Sequence, residues 1–147
     1  MHNHPYLRAY MAGISVPTPL LLVALTLFSI ARFVYNVPIP VERAIIFPMA
    51  IIPNLFGVWN VLRTASRSRL PLGIHGAILP FILAPAGFFL GSGMGFLKTT
   101  GYGFIYFGVV QVHYVHLAVV FPAVLIVYYL VWKYLIGFFN RVAGITE

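Results

Sequence analysis

Residues 104–136 read FIYFGVVQVHYVHLAVVFPAVLIVYYLVWKYLI, an apolar stretch whose one charged residue, Lys133, comes near its end. A membrane-spanning helix needs about 20 mostly apolar residues, because the hydrocarbon core of a bilayer is about 30 Å thick. As a helix, this stretch would be about 50 Å long. We therefore predict a membrane span here, whose last turns place Tyr and Trp side chains at the membrane surface.

The composition of the whole chain agrees with this prediction. Of the 147 residues, 61% are hydrophobic and only 7% are charged, whereas soluble domains carry about 25% charged residues. Three more apolar segments are long enough to span a bilayer, and the connections between them are short. We predict an all-α, single-domain membrane protein over residues 1–147, a four-helix bundle with antiparallel neighbours. The predicted helices are 14–37, 44–62, 72–97 and 104–136.

Several classes of function are excluded by residue counts. The chain has no cysteine, which excludes disulfides and thiolate metal sites. Its only acids are Glu42 and Glu147, and both lie outside the predicted spans. No carboxylate pair is therefore available for acid–base catalysis, and none lies in the membrane to carry a proton. The net charge of +7 comes from cations that flank the spans, so we expect anionic lipids, and not nucleic acid, as partners.

The positions of Lys and Arg predict the orientation in the membrane. Cytoplasmic loops carry an excess of these residues, and the predicted spans divide them six against three. Both termini are therefore predicted to be cytoplasmic, in a prokaryotic inner membrane. One side holds Arg8, Arg63, Arg67, Arg69, Lys133 and Arg141, and the other holds Arg32, Arg43 and Lys98.

Proline and glycine predict features of the second and third helices. Proline removes a backbone donor and crowds the carbonyl of the preceding turn, so kinks are predicted from Pro48 and Pro53 and from Pro80 and Pro85. On the third helix, small residues recur every four positions and permit close approach of another helix. This row predicts packing within the bundle, in a homo-oligomer or in a larger membrane complex. It consists of Ala84, Gly87, Gly91 and Gly95.

Polar residues inside predicted spans are candidates for a functional site. His113 and His116 are three residues apart and share a face of the predicted fourth helix, roughly 13 and 18 Å from its start at Phe104. Asn54 is predicted at a similar depth on the second helix. The cluster has three interpretations: satisfied hydrogen bonds across the bundle, a metal or haem site, or the lining of a solute cavity. The full candidate set is Asn54, Gln111, His113, Tyr114 and His116.

A second candidate site is the arginine-rich stretch RTASRSR at residues 63–69. Guanidinium groups match the oxygens of phosphates and carboxylates, so Arg63, Arg67 and Arg69 are candidates for binding an anionic head group. The simpler interpretation is ordinary positive-inside topology.

Residues 98–104, KTTGYGF, are similar over four residues to the filter loop of potassium channels, TVGYG. Leu72 to Leu97 spans about 39 Å as a helix, which leaves no room for the pore helix that a filter requires. We instead predict a tight outer turn between the third and fourth helices, with Gly101 and Gly103 free to adopt positive φ and Tyr102 at the membrane surface.

These patterns predict a small membrane protein that is not an enzyme, either a permease for a small solute or an accessory subunit with a polar cavity at mid-membrane. No cofactor is expected for that function. The alternative is a membrane-embedded enzyme, or a metal- or haem-binding subunit with its ligands at His113 and His116, acting on a lipophilic or anionic-headed substrate.

Overall fold

The computed structural model describes residues 4–38, 46–106, 108 and 110–145, with the backbone alone at 47 and 48. Glu42, Arg43 and Glu147 lie outside these residues. The described chain is mostly helical, and its helices follow one another with short connections. They are α1 (Pro5–Ile14), α2 (Pro17–Phe33), α3 (Phe47–Ser66), α4 (Leu72–Gly93), α5 (Tyr114–Leu130), a π-helical segment (Val131–Ile136) and α6 (Gly137–Val142).

Three of the described helical stretches are long and apolar enough to cross a membrane. They are Pro5–Phe33, Leu72–Gly93 and Tyr114–Val142. The second helix of the predicted bundle, α3, has 20 residues but is not among them, because Asn54, Asn60 and Arg63 lower its hydropathy. The mostly helical character is thus confirmed, with three stretches that are long and apolar enough to cross a membrane, and the crossing of α3 stays a prediction.

The first helix begins well before the predicted residue 14. Ser15 and Val16 separate α1 from α2, which opens with Pro17 and carries Pro19 in its first turn. Because proline has no N–H to donate to the preceding turn, the break falls where the two prolines enter the helix. By contrast, α3 continues through Pro53 and α4 through Pro80 and Pro85.

The purely all-α prediction is wrong for residues 97–113. Instead of the end of one helix and the start of the next, the chain forms a three-stranded antiparallel sheet in the order β1–β2–β3. Tyr, Phe, Ile, Val and Thr dominate the stretch and favour strands, while Gly103 and Gly108 disfavour a helix. The strands are β1 (Leu97–Thr100), β2 (Gly103–Tyr106) and β3 (Val110–His113).

Gly95 lies just after the end of α4 and before the first strand of the sheet. Its φ is +74°, a conformation that glycine adopts without steric cost. The N–H of Gly95 donates to the carbonyl of Ser92 (3.1 Å), and the N–H of Phe96 donates to that of Gly91 (3.1 Å). These two bonds form a Schellman motif, which explains why the helix stops four residues before the predicted end at 97.

The predicted turn in KTTGYGF is present, but it joins two strands and not two helices. Thr100 pairs with Gly103, so Gly101 and Tyr102 form a two-residue hairpin loop, and Tyr102 is 80% exposed at its tip. Neither Gly101 nor Gly103 has positive φ. Gly103 serves a different purpose, since a Cβ at this position would lie 2.0 Å from the carbonyl oxygen of Val112 on β3.

Replacing Gly103 with valine is therefore expected to separate β2 from β3. The clash is with backbone, which side-chain movement cannot relieve, and we expect a cost of about 1–3 kcal/mol. Hydrogen exchange of the β3 amides should accelerate in Gly103→Val. The matched control is Gly101→Ala, where a Cβ meets open space. Unchanged protection in Gly103→Val would contradict the pairing.

The chain groups into two compact units. The first comprises residues 1–70 and 134–147, and the second comprises residues 71–133. In the first unit α1 packs on α3 and α6, and α2 also contacts α3. Its small core contains Ala9, Ala12 and Ile145. In the second unit α4 packs on α5, and the sheet connects them.

Candidate functional site

The first unit is organised by a very close crossing of α1 and α3. A Cβ added to Gly13 would lie 2.6 Å from the carbonyl oxygen of Phe56 and 2.8 Å from Cα of Gly57. The ring of Tyr10 in turn lies over Gly57, where a Cβ would come within 2.6 Å of it. Because Ala9 contacts Asn60 further along, the two helices are antiparallel, and the start of α1 lies beside the end of α3.

A buried pair of amides ties α6 to this crossing. Asn60 is fully buried and Asn140 is 1% exposed. The Nδ2 group of Asn60 donates to the Oδ1 atom of Asn140 (2.7 Å) and to the carbonyl of Ala9 (2.8 Å). Nδ2 of Asn140 donates back to Oδ1 of Asn60 (3.3 Å). One side chain of α3 thereby fixes the register of both α1 and α6.

Three arginines lie next to the residues of this network. Arg8 precedes Ala9, Arg141 follows Asn140, and Arg63 is one helical turn beyond Asn60. Residues three apart share a helix face, so Arg63 points to the same side of α3 as Asn60. The start of α1 and the ends of α3 and α6 thus bring these three cations to one end of the unit, which we call the arginine end.

The side chain of Arg63 differs from the other two because it is buried. It is 9% exposed, whereas Arg8 and Arg141 are exposed. In the described part of the chain, its buried Nε atom has no hydrogen-bond partner. This part also contains no carboxylate side chain, because the only two acids lie outside it. The guanidinium of Arg63 is thus a buried charge with no described anion beside it.

Arg8 has a partner at the end of α6. Its Nη1 donates to the carbonyl of Ala143 at 3.5 Å, one of the last carbonyls of that helix, where a cation is favoured by the helix dipole. Gly144 follows with φ +70° and ends the helix. Arg8 therefore holds the C-terminal end of α6 beside the start of α1.

The two other arginines of the predicted head-group site lie at the end of α3 and just beyond it. Arg67 is the C-terminal capping residue of α3 in the left-handed conformation (φ +47°, ψ +43°), and both Arg67 and Arg69 are exposed. A site built on Arg63 would therefore have Arg67 and Arg69 at its solvent-exposed margin.

Asn54, a member of the predicted mid-membrane cluster, is bonded within the first unit. The hydroxyl of Tyr10 donates to its Oδ1, and its Nδ2 donates to the carbonyl of Ala50 at 2.6 Å. The remaining members lie in the second unit, so the meeting of Asn54 with His113 and His116 stays a prediction.

His113 and His116 are neighbours, but not as two residues on one helix. His113 is the last residue of β3, in an extended conformation (φ −79°, ψ 147°), and His116 lies in the first turn of α5. Their ring centroids are 5.7 Å apart. Because α5 begins at Tyr114 and not at Phe104, the pair lies at the start of a candidate span. The depths of roughly 13 and 18 Å counted from Phe104 are therefore wrong.

Gln111 and Tyr114 adjoin this pair. Gln111 is two residues before His113 on β3, so both side chains are on one face of the strand. The N–H of Tyr114 donates to the carbonyl of Tyr102 (3.1 Å), which holds the junction of β3 and α5 against the hairpin loop. Gln111, His113, Tyr114 and His116 are all exposed.

The second unit also contains a helix contact made by glycines other than the predicted row. A Cβ on Gly73 would lie 2.6 Å from the ring of Tyr129, and one on Gly76 would lie 1.9 Å from Trp132. His75 lies edge-on to Trp132, with ring centroids 5.9 Å apart. Gly73 and Gly76 thus let the aromatic end of the last span pack against the backbone of α4.

The predicted small-residue row is divided by the structure. Gly91 is buried, and a Cβ there would meet Phe96 at 3.0 Å, whereas Gly87 faces open space and Ala84 is exposed. Gly95 lies beyond the helix. Gly87 and Ala84 are therefore the members of the row that another helix could reach, and an oligomer contact there stays a prediction.

The two buried amides that connect α1, α3 and α6, Asn60 and Asn140, were not among the site residues predicted from the sequence. Asn60 lies inside a mostly apolar helix, and an amide there commonly bonds across helices, so its position three residues before Arg63 is a usable signal. Asn140 has no comparable signal, because it follows the predicted helix 104–136 and stands next to the charged Arg141, where a polar residue is ordinary.

Comparison of the chain with protein families, with curated proteins and with solved structures finds no match. Within the described residues, no group of three or more His, Cys, Asp or Glu side chains is placed to hold one metal ion.

Proposed function

We propose that this chain is a small, non-enzymatic integral membrane protein, an accessory subunit that binds the phosphate of an anionic lipid at its arginine end. One observation carries the proposal. The guanidinium of Arg63 is buried, and its Nε has no hydrogen-bond partner among the described residues.

A buried arginine requires an anion because it cannot lose its proton. Removing such a charge from water costs several kcal/mol unless an opposite charge and hydrogen bonds compensate. A phosphate supplies both, since two of its oxygens match two N–H groups of one guanidinium. A phosphate beside Arg63 would therefore compensate the charge that no described side chain balances.

The position of the site favours a lipid as the source of this phosphate. α1 continues into the apolar stretch Pro5–Phe33, and α6 ends the apolar stretch Tyr114–Val142. The arginine end is therefore at one end of both candidate spans, the level at which lipid head groups lie. The exposed Arg8 and Arg141 would flank the head group while Arg63 contacts its phosphate.

Lipid binding by Arg63→Gln tests the proposal. We expect binding of phosphatidylglycerol to detergent-purified protein, followed by native mass spectrometry, to weaken at least tenfold, which corresponds to about 1.4 kcal/mol. Arg63→Lys should lose part of the affinity, because it keeps the charge but not the planar fork. The control is Lys98→Gln, an exposed cation outside the arginine end, whose loss should change binding less than about twofold.

A competition measurement identifies the source of the phosphate. Competition by inorganic phosphate at concentrations that displace phosphatidylglycerol would indicate a free phosphate instead of a lipid. Equal lipid binding by Arg63→Gln and wild type would contradict the proposal.

The first sequence-based function, a permease with a polar cavity formed by Asn54, His113 and His116, remains a second proposal. Gln111 and Tyr114 adjoin the two histidines. Four of the five residues in the candidate set therefore share one polar surface, which supports this proposal. A membrane-embedded enzyme acting on an anionic-headed substrate is the alternative that the arginine end would equally serve. Cytoplasmic termini and a prokaryotic inner membrane are part of each proposal.

A further inference from the structure

The exposed histidine pair at the junction of β3 and α5 is a feature that lipid binding does not use. His113 is held by the pairing of Gly103 with His113, and Tyr114 is held by its backbone bond to Tyr102. His116 lies in the first turn of the helix that follows. Two ordered backbone elements therefore set the separation of the two rings.

That separation suits one shared metal ion. Imidazole nitrogens bind Zn²⁺ at about 2.0–2.1 Å, so two imidazoles on one metal have ring centroids roughly 4.5–6 Å apart at ordinary N–metal–N angles. The observed centroid distance is 5.7 Å, with the ring planes inclined by 66°. The centroid separation therefore falls within the range for two imidazoles on one ion, and side-chain rotation would bring one nitrogen of each ring toward it.

We propose that His113 and His116 form a binding site for a divalent first-row transition metal that favours imidazole, such as Cu²⁺ or Zn²⁺. Imidazole suits these ions, whereas Mg²⁺ and Ca²⁺ prefer oxygen ligands. The described residues offer no carboxylate beside the pair, so the donors they supply are neutral. Water completes the coordination, and Gln111, on the same strand face as His113, offers an amide oxygen.

The start of α5 is also a suitable place for such an ion to enter. Both histidines are exposed, and they lie at the beginning of the candidate span Tyr114–Val142 and not in its middle. A hydrated ion can therefore reach the two rings from the aqueous side without crossing the hydrocarbon core.

Copper binding to the full-length, tag-free protein tests this inference. His2→Ala and His4→Ala are introduced first, because imidazoles near the chain start also bind Cu²⁺. In this background we expect one Cu²⁺ per chain, and pulsed electron paramagnetic resonance should show two coordinated imidazole nitrogens. Adding His113→Ala or His116→Ala should each weaken binding at least tenfold and leave one imidazole nitrogen in the spectrum. Excess Zn²⁺ should displace the copper.

Val115→Ala is the matched control, because it changes an exposed residue between the two ligands without removing a nitrogen, and its copper affinity should equal that of the background. Circular dichroism should report equal helix content in all variants. Copper affinity that is unchanged in either histidine variant, or a spectrum with a single imidazole nitrogen in the background protein, would overturn the proposal. Lipid binding at Arg63 should be unaffected by both histidine variants.

Discussion

Replacing Gly13 with valine is expected to disrupt the packing of the first unit. A Cβ on Gly13 would lie within 3 Å of three backbone atoms of Phe56 and Gly57. Because backbone atoms of a helix cannot move aside as a side chain can, α1 and α3 would have to separate. Overpacking of this kind costs about 1–3 kcal/mol for small additions, and the two extra methyl groups of valine place this variant at or above the upper limit.

The separation of α1 from α3 would also affect distant contacts. The bond from Asn60 to Ala9 and the contact of Tyr10 with Gly57 depend on the same close approach. We expect Gly13→Val to lose most of its monodisperse yield in mild detergent. Gly13→Ala should remain folded and unfold at a clearly lower concentration of sodium dodecyl sulfate than wild type.

Gly87→Ala is the matched control for this experiment. Gly87 is also a glycine within a helix, but a Cβ there meets open space, and alanine favours a helix by about 1 kcal/mol over glycine. Its unfolding should be unchanged or later. Equal stability of Gly13→Ala and Gly87→Ala would contradict the close crossing. A change of oligomeric state in Gly87→Ala alone would support the predicted contact through the exposed face of α4.

The second large effect is expected from Asn60→Leu. The substitution leaves both polar atoms of the buried Asn140 amide, and the carbonyl of Ala9, without this partner. Each unsatisfied buried group costs about 1–3 kcal/mol, although hydrogen bonds between membrane helices average less. We expect a loss of about 2–4 kcal/mol in the free energy of unfolding, measured in mixed micelles.

A double-mutant cycle with Asn140→Leu isolates the pair. Each single variant leaves the other amide buried without its hydrogen-bond partner, whereas the double variant removes both amides. The double variant should therefore lose less free energy of unfolding than the sum of the two single variants, by about 0.5–3 kcal/mol. Thr26→Val is the control, because its hydroxyl donates to Leu22 within the same helix (3.0 Å) and should cost little. Strictly additive losses would show that the amides do not act as a pair.

The sequence predicts the residue types and spacings of the candidate sites, but not the burial or the backbone conformation of those residues. Arg63 could be recognised as a head-group candidate because arginines at the end of an apolar helix are typical of a membrane surface. Its burial could not be predicted, because the burial of a side chain depends on how the helices pack in the tertiary structure. His113 and His116 could be recognised as a pair from their spacing, but that spacing predicts one shared helix face, whereas His113 ends a strand.

The sequence alone was enough to locate most of the helices and to recognise stretches long and apolar enough to cross a membrane, because hydropathy is a property of each segment alone. The sequence also shows that the chain has no thiol and only two carboxylate side chains, Glu42 and Glu147. Only the tertiary structure decided that residues 97–113 form a sheet, since an apolar run of this kind suits a strand or a helix equally and the pairing of three strands selects the strand. It likewise decided that Asn60 meets Asn140 across 80 residues of chain and that Gly13 is a contact site, because both depend on how helices approach one another.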